Sequence, residues 1–248
     1  MRILVVFLAL LAFAAGCGGS DKPTLTVSAA SSLKKAFTAY GDKFSDAKAR
    51  FSFAGSDELA AQIQQGVKPD VYAAANTKLP DELYDKGLVE KPRVFAGNRL
   101  VLAVPASGAK VASLKDIEAK GVKLAIGAED VPVGSYTHTV LDKLPAAEKQ
   151  AILGNVRTEE PDVSGIVGKL TAGAVDAGFV YISDVRGTDG ALKAIELPAD
   201  LQPAVSYGVA VVKGAKHPDQ AKTFIDGLLA GDGADALKAA GFEPPPAQ

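Results

Sequence analysis

The chain has 248 residues, 48% of them hydrophobic, with 29 acidic and 27 basic side chains and a formal net charge of −2. That much apolar material suits one large domain or two modest ones and excludes a disordered or fibrous chain. Charges of both signs are interspersed, so no basic stripe points to nucleic acid, and the single cysteine, Cys17, excludes an internal disulfide or a cysteine-based metal cluster.

Met1-Arg2 precedes an apolar run from Ile3 to Ala15 and the small residues Gly16-Cys17-Gly18-Gly19-Ser20. One positive charge, an apolar stretch too short for a stable membrane helix and a small-residue cut site read as an export signal over 1–16. Ala14-Ala15-Gly16-Cys17 resembles a bacterial lipobox, with Ala14 where leucine is more usual. That resemblance implies a lipid on Cys17, a flexible tether over 17–23, and an extracytoplasmic protein held to the bacterial cell membrane by its lipid alone. The alternative is an ordinary signal peptide with a chance cysteine at its end. No later stretch is apolar for long enough to cross a membrane.

Past the tether, Leu25 and Val27 alternate as in a strand, while Leu33, Phe37, Tyr40 and Phe44, with Ala36 beside them, recur at helical spacing. The corner between strand and helix therefore falls at Ser31-Ser32. Arg50 to Ala54 predicts a second strand, and Gly55-Ser56-Asp57 a second corner, opening a helix that carries Leu59 and Ile63 and stops at Gly66. Asp70 to Ala75 is a nearly continuous apolar run, as in a strand covered on both faces, followed by a helix from Leu79 to Lys86 with Gly87 as its stop. Arg99 to Val104 is another such run, ended by Pro105.

Ser113-Leu114-Lys115-Asp116 resembles a capping box, with Asp in place of Glu or Gln, and predicts a helix start. A strand from Val122 to Ile126 leads to Pro132, which suits the first turn of a helix with Tyr136, Val140, Leu141 and Leu144 as its stripe. A short helix near Ala147 to Leu153 and an edge-like strand at Val156-Arg157-Thr158 follow. Pro161-Asp162-Val163 opens a helix with Ile166, Val167 and Leu170, and Ala177 to Ile182 is a buried strand. Tyr207 to Val212 returns to strand, with helices from Pro218 to Leu229 and Ala234 to Ala239, Gly241 as a stop and Pro244-Pro245-Pro246 as a frayed tail. The alternation predicts an α/β architecture with mainly parallel sheets.

His138 and His217 are the only histidines, and neither belongs to a metal-spaced pair, so surface or capping roles are expected of both. There is no Gly-x-Ser-x-Gly elbow, Walker A loop or Gly-x-Gly-x-x-Gly after a strand. Gly55-Ser56-Asp57 could pass for a nucleophile corner, but no convincing base accompanies it. What remains is a set of corners bearing uncharged donors: Ser31-Ser32, Gly55-Ser56, Val131 to Gly134, Asp162-Val163, and Tyr181 at a strand end. In open α/β sheets ligands settle at the carboxyl ends of strands, where helix N-termini point unsatisfied N–H groups. Several such corners together would trap a small oxyanion and discriminate by shape, because neutral dipoles stand at fixed positions. Each residue also has a plainer role, the serines as helix caps and the valines as core. Asp162 is expected to turn back and cap its own helix, since a carboxylate facing an anion repels it.

In chain order, Val27 to Leu33, Phe53 to Ser56, Pro69 to Tyr72, Gly97 to Val101, Val131 to Tyr136, Asp162-Val163 and Gly178 to Tyr181 resemble the successive motifs of molybdate-binding proteins of ABC importers. The resemblance covers essentially the whole mature chain. It implies a two-lobed periplasmic-binding-protein fold of type II, each lobe a mixed, mainly parallel sheet flanked by helices, with two crossover segments. Residues 24–104 and 207–248 would form the first lobe, and 105–206 the second.

By the same resemblance, Ser32 and Ser56 would bind the oxyanion through hydroxyl and backbone N–H from the first lobe. Val133 and Val163 would give backbone N–H groups, and Tyr181 its phenol, from the second. Ser31 stands where the family often has alanine, and Val133 where some relatives have a smaller residue, which a backbone role tolerates. The implied function is capture of molybdate, and of tungstate, outside the cytoplasmic membrane and delivery to an ABC permease. The implied protein is a monomer without cofactor, holding the metal only through its oxyanion. The alternatives are a binder of sulfate or phosphate, an exported serine hydrolase using Ser56 or Ser32, and a lipoprotein that senses or scaffolds.

Overall fold

The structure is a computed structural model that describes residues 22–246. The expected export signal, Cys17 and the tether up to residue 21 lie outside the described residues.

Strand β1 (Thr24–Ala30) turns Leu25, Val27 and Ala29 to the core and passes through a 3-10 turn at Ser31–Leu33 into α1 (Lys34–Lys43), which buries Ala36, Phe37 and Tyr40. The unit repeats as β2 (Lys48–Ala54) with α2 (Ser56–Gln64) and β3 (Val71–Ala74) with α3 (Lys78–Asp85), followed by β4 (Arg93–Asn98). One residue later β5 (Leu100–Pro105) begins, in a different sheet. A 3-10 turn at Lys115–Glu118, β6 (Leu124–Gly127), α4 (Pro132–Leu141), α5 (Ala146–Gly154) and β7 (Val156–Glu160) come next. They are followed by α6 (Val163–Thr171), β8 (Ala177–Tyr181), α7 (Ile182–Gly187) and β9 (Leu192–Glu196). The chain then returns as β10 (Val205–Val211), α8 (Pro218–Leu229) and α9 (Asp232–Ala240), ended by Gly241 in the left-handed conformation.

The first sheet has the order β2-β1-β3-β10-β4 and the second β7-β6-β8-β5-β9. Each contains two parallel and two antiparallel ladders around a single reversed strand, so four of its five strands run the same way and the sheets are mixed and mainly parallel, as expected. In both, the antiparallel strand fourth in order is the one delivered by a crossover. That placement corrects the expected first lobe of 24–104: Leu100 to Val104 pairs with β8 and β9 and belongs to the second sheet. A continuous apolar run shows that a strand is buried but not which sheet buries it. The return strand likewise starts at Val205, not Tyr207.

Three elements escaped the sequence reading. β4 carries Arg93, Gly97 and Asn98, and β9 carries Lys193 and Glu196, which dilute the apolar signal. α7 follows β8 with no intervening loop, so its apolar Ile182 reads as a continuation of the strand. The expected helix at Ser113 is only the Lys115–Glu118 turn; as in the capping box expected there, Asp116 accepts the Ser113 amide at 3.0 Å, and it also accepts the Ala112 amide at 2.8 Å.

Both ends of the described chain close the first lobe. Phe224 of α8 packs against Phe37, Tyr40 and Phe44 with ring centroids 5.7, 4.6 and 5.3 Å apart, contacts worth about 0.5–1.5 kcal/mol each beyond area burial. Buried Asp70, just before β3, ties the same ends together. Its carboxylate accepts the Thr26 amide and hydroxyl, both at 2.7 Å, and the His217 amide at 2.9 Å, so it joins β1 to the start of α8. Burial alone would raise its pKa; the bonds from Thr26 and His217 outweigh that and hold it below the usual carboxylate value.

A carboxyl depressed by folding contributes stability above its unfolded pKa of about 3.9, and the contribution is lost as pH falls through the lower folded value. Asp70→Ala should therefore cost about 2–4 kcal/mol in urea unfolding at pH 7, because buried donors lose their acceptor. The gap between wild type and Asp70→Asn should narrow as the pH is lowered below about 4; a gap independent of pH would show that the charge contributes nothing.

Candidate functional site

The strand ends gather at one place. β1 gives way to the Ser31–Leu33 turn, β2 to α2 at Gly55-Ser56, β6 to α4 at Val131-Pro132, β7 to α6 at Pro161-Asp162, and β8 to α7 at Tyr181. Ser31, Ser32, Gly55 and Ser56 from the first lobe, and Val133, Asp162, Val163 and Tyr181 from the second, line a single cavity. All five expected ligand residues are there, together with Ser31. The cavity leaves about 20 Å³ for the centre of a water-sized atom, little more than one such atom requires. The space between the lobes is therefore small. The lobes touch beside it, for a Cβ at Gly55 would stand 2.9 Å from the Pro161 carbonyl oxygen.

No lysine, arginine or histidine lines the cavity, and its one acid is Asp162. As expected, Asp162 caps α6, its carboxylate accepting the Ser164 amide at 2.7 Å and the Gly165 amide at 3.2 Å. Val163 is the first residue of α6 and Val133 the second of α4, so both N–H groups belong to the helical ends that have no intrahelical acceptor. Their side chains are buried in the core. The core role weighed for both valines is seen, and both residues also line the cavity. Close backbone approach makes this corner: a Cβ at Gly134 would lie 1.7 Å from the Ala128 carbonyl oxygen, and one at Gly127 would lie 2.6 Å from Val133.

The serines are set by what their oxygens accept. Ser56 Oγ takes the Ala75 amide at 3.0 Å, so its hydrogen is left for another acceptor. Ser32 Oγ lies 2.9 Å from Tyr207 Oη. Among the described residues neither hydroxyl is bonded to a histidine, lysine or carboxylate, so neither has the base a nucleophile needs.

Tyr181 is the most telling member. Its side chain is 1% exposed, and among the described residues its hydroxyl has no hydrogen-bond partner. Burial, with smaller contributions from Tyr207, Tyr136 and Asp184, pushes the phenol well above its ordinary value, so it keeps its proton and stands ready to donate to an acceptor. Asp184 fixes the same corner by accepting the Tyr181 amide at 2.9 Å, and burial pushes its carboxyl up to about 7. Sequence reading missed Asp184, Asn98 and Tyr207 as supports. Tyr207, in β10, left a signal of the same kind as Tyr181, a buried aromatic hydroxyl in need of a partner.

Two α/β lobes that meet over a small, donor-lined cavity define a two-lobed solute-binding protein. Residues 25–243 match the family described as bacterial extracellular solute-binding protein, and the chain belongs to that family. It is 32% identical over 228 residues to the molybdate-binding protein ModA of Mycobacterium tuberculosis, covering 90% of this chain and 85% of that one. Against the molybdate-binding protein ModA of Escherichia coli it is 32% identical over 251 residues, 94% of this chain and 95% of that one. The solved periplasmic molybdate-binding protein of Azotobacter vinelandii shares the fold with a TM-score of 0.79 at 21% identity, over 89% of this chain and 99% of that one.

The corner glycines give a direct check on this construction. Gly134→Ala must displace the Ala128 carbonyl and should lose about 1–3 kcal/mol of stability. Gly168→Ala in α6, where a Cβ would meet nothing within 4 Å, should gain up to about 1 kcal/mol from helix propensity alone. Equal effects in urea unfolding would show that the β6–α4 corner is not held by close approach.

Proposed function

We propose that this protein captures molybdate, and tungstate, outside the cytoplasmic membrane and delivers it to an ABC permease, with Ser32, Ser56, Val133, Val163 and Tyr181 as its ligand residues. The observation that carries this reading is the convergence of uncharged donors from both lobes on one small cavity that holds an unpartnered buried phenol. The names of the Mycobacterium and Escherichia relatives point to the same ion.

A tetrahedral oxyanion carries an acceptor at each corner and no hydrogen that requires an acceptor in return. The serine hydroxyls and helix amides of the first lobe meet one side of it, and the amides and phenol of the second lobe meet the other. The guest thereby bridges the lobes, and the closed pair is the form a permease would recognise. The role is binding, and the metal stays inside its own oxygen shell. The lipobox-like stretch supports a lipid on Cys17 as the sole membrane attachment, with the protein acting as a monomer.

Thermal unfolding of the mature domain with molybdate, tungstate, sulfate or phosphate tests the choice of ion. A ligand at a thousand times its Kd adds about 4 kcal/mol to apparent stability, a shift on the order of 10 °C at this size. Molybdate and tungstate should produce it; a shift with sulfate and none with molybdate overturns the assignment. Tyr181→Phe should weaken molybdate binding about ten- to a hundredfold in calorimetry, the range for a hydrogen bond to a charged group. For the anchor, Cys17→Ser should move the protein from the membrane fraction to the soluble one, and retention in the membrane fraction would dismiss the lipid.

A further inference from the structure

We propose that Tyr207 and Asn98, neither of which lines the cavity, aim the Ser32 hydroxyl hydrogen at the guest and so set affinity without touching it. This rests on the anion-binding reading of the cavity and deepens it.

Asn98 ends β4, and its Oδ1 accepts the Arg99 amide at 2.9 Å. That bond fixes which way the amide faces, leaving Nδ2 to donate to Ser183 Oγ at 2.8 Å and to Tyr207 Oη at 3.4 Å. An amide nitrogen cannot accept a hydrogen in return. Among the described residues Tyr207 Oη has one other hydrogen-bond partner, Ser32 Oγ at 2.9 Å. Its hydrogen therefore goes to Ser32. Fully buried, the Tyr207 phenol is held well above its ordinary pKa, chiefly by that burial, so the hydrogen is always present. With its oxygen occupied, Ser32 has its own hydrogen free, and Ser32 lines the cavity.

The arrangement does at Ser32 what a backbone amide does at Ser56, where Ala75 N–H occupies the oxygen. The difference lies in where the orienting groups come from. Asn98 and Tyr207 stand beside the two crossovers, with Asn98 paired to Val205 in the β4–β10 ladder, and Ser183 belongs to α7 of the second lobe. The direction of one site hydroxyl is thus decided by residues at the junction of the lobes.

The test is a double-mutant cycle read by molybdate calorimetry, with unliganded melting temperatures measured alongside. Tyr207→Phe keeps the ring and should weaken binding about tenfold; in a Ser32→Ala background the same change should have no further effect. Additive losses, or no loss in Tyr207→Phe, overturn the inference. Asn98→Asp provides a second cycle should the phenylalanine variant fail to fold. A carboxylate accepts the Tyr207 hydrogen, turns the Ser32 hydrogen away from the guest, and should weaken binding in wild type but not in Ser32→Ala. A loss that persists in Ser32→Ala marks plain charge repulsion and also overturns the inference. If wild type binds none of the four oxyanions, the reading of the cavity falls and this falls with it; binding by wild type with additive losses removes the relay alone.

Discussion

A charge taken out of water without a counter-charge is costly, of order tens of kcal/mol for a bare ion in an apolar medium. Here the cavity wall holds no cationic side chain. An anion is tolerable in such a place only if nearly every oxygen finds a hydrogen, and only if those hydrogens are in position beforehand. Much of the local structure serves that demand. The Ala75 amide occupies the Ser56 oxygen, Asp162 turns its carboxylate onto its own helix, and Gly127 and Gly134 let β6 and α4 approach closely beside Val133, which lines the cavity. Burial holds the proton on Tyr181.

The same demand explains the architecture. Donors on one side only would leave half of a tetrahedral guest facing solvent, so the corners must come from two sheets. Strand order meets this need by repeating one arrangement twice, each sheet receiving its fourth strand from across a crossover. Arg99 sits at the first crossover and pairs with Glu196 at 2.9 Å and Glu243 at 2.8 Å, binding it to the end of β9 and to the chain's last bridge with β4. Such half-exposed pairs are worth little each, about 0–1 kcal/mol, but they join three segments at the junction. The weightier connection there is the buried Asn98, which reaches Ser183 on one side and Tyr207 on the other.

How far all this could be read beforehand depends on whether a feature leaves a local mark. The corners at Ser31-Ser32, Gly55-Ser56 and Pro161-Asp162 were legible because a change of hydrophobic period and a change of residue type coincide there. Asp162's inward turn followed from electrostatics alone. Val133 and Val163 carried no mark, since a donating amide looks the same under any side chain; only the resemblance singled them out. The sheet assignment of Leu100 to Val104 was misread for a related reason, because pairing is a long-range choice between two partners that a buried run suits equally. Asn98 and Tyr207 lie 109 residues apart, and nothing in either neighbourhood announces the other.

The two sheets also differ in how they can be completed. Every strand of the second comes from one uninterrupted stretch between Leu100 and Glu196, whereas the first cannot place β4 until β10 has arrived to separate it from β3. A chain delivered from its N-terminus would therefore finish the later half while the earlier one still exposes the unpaired edge of β3, an adhesive surface. The last forty or so residues thus govern solubility during assembly, and loss of β10 would leave an intact second sheet attached to an open, aggregation-prone first.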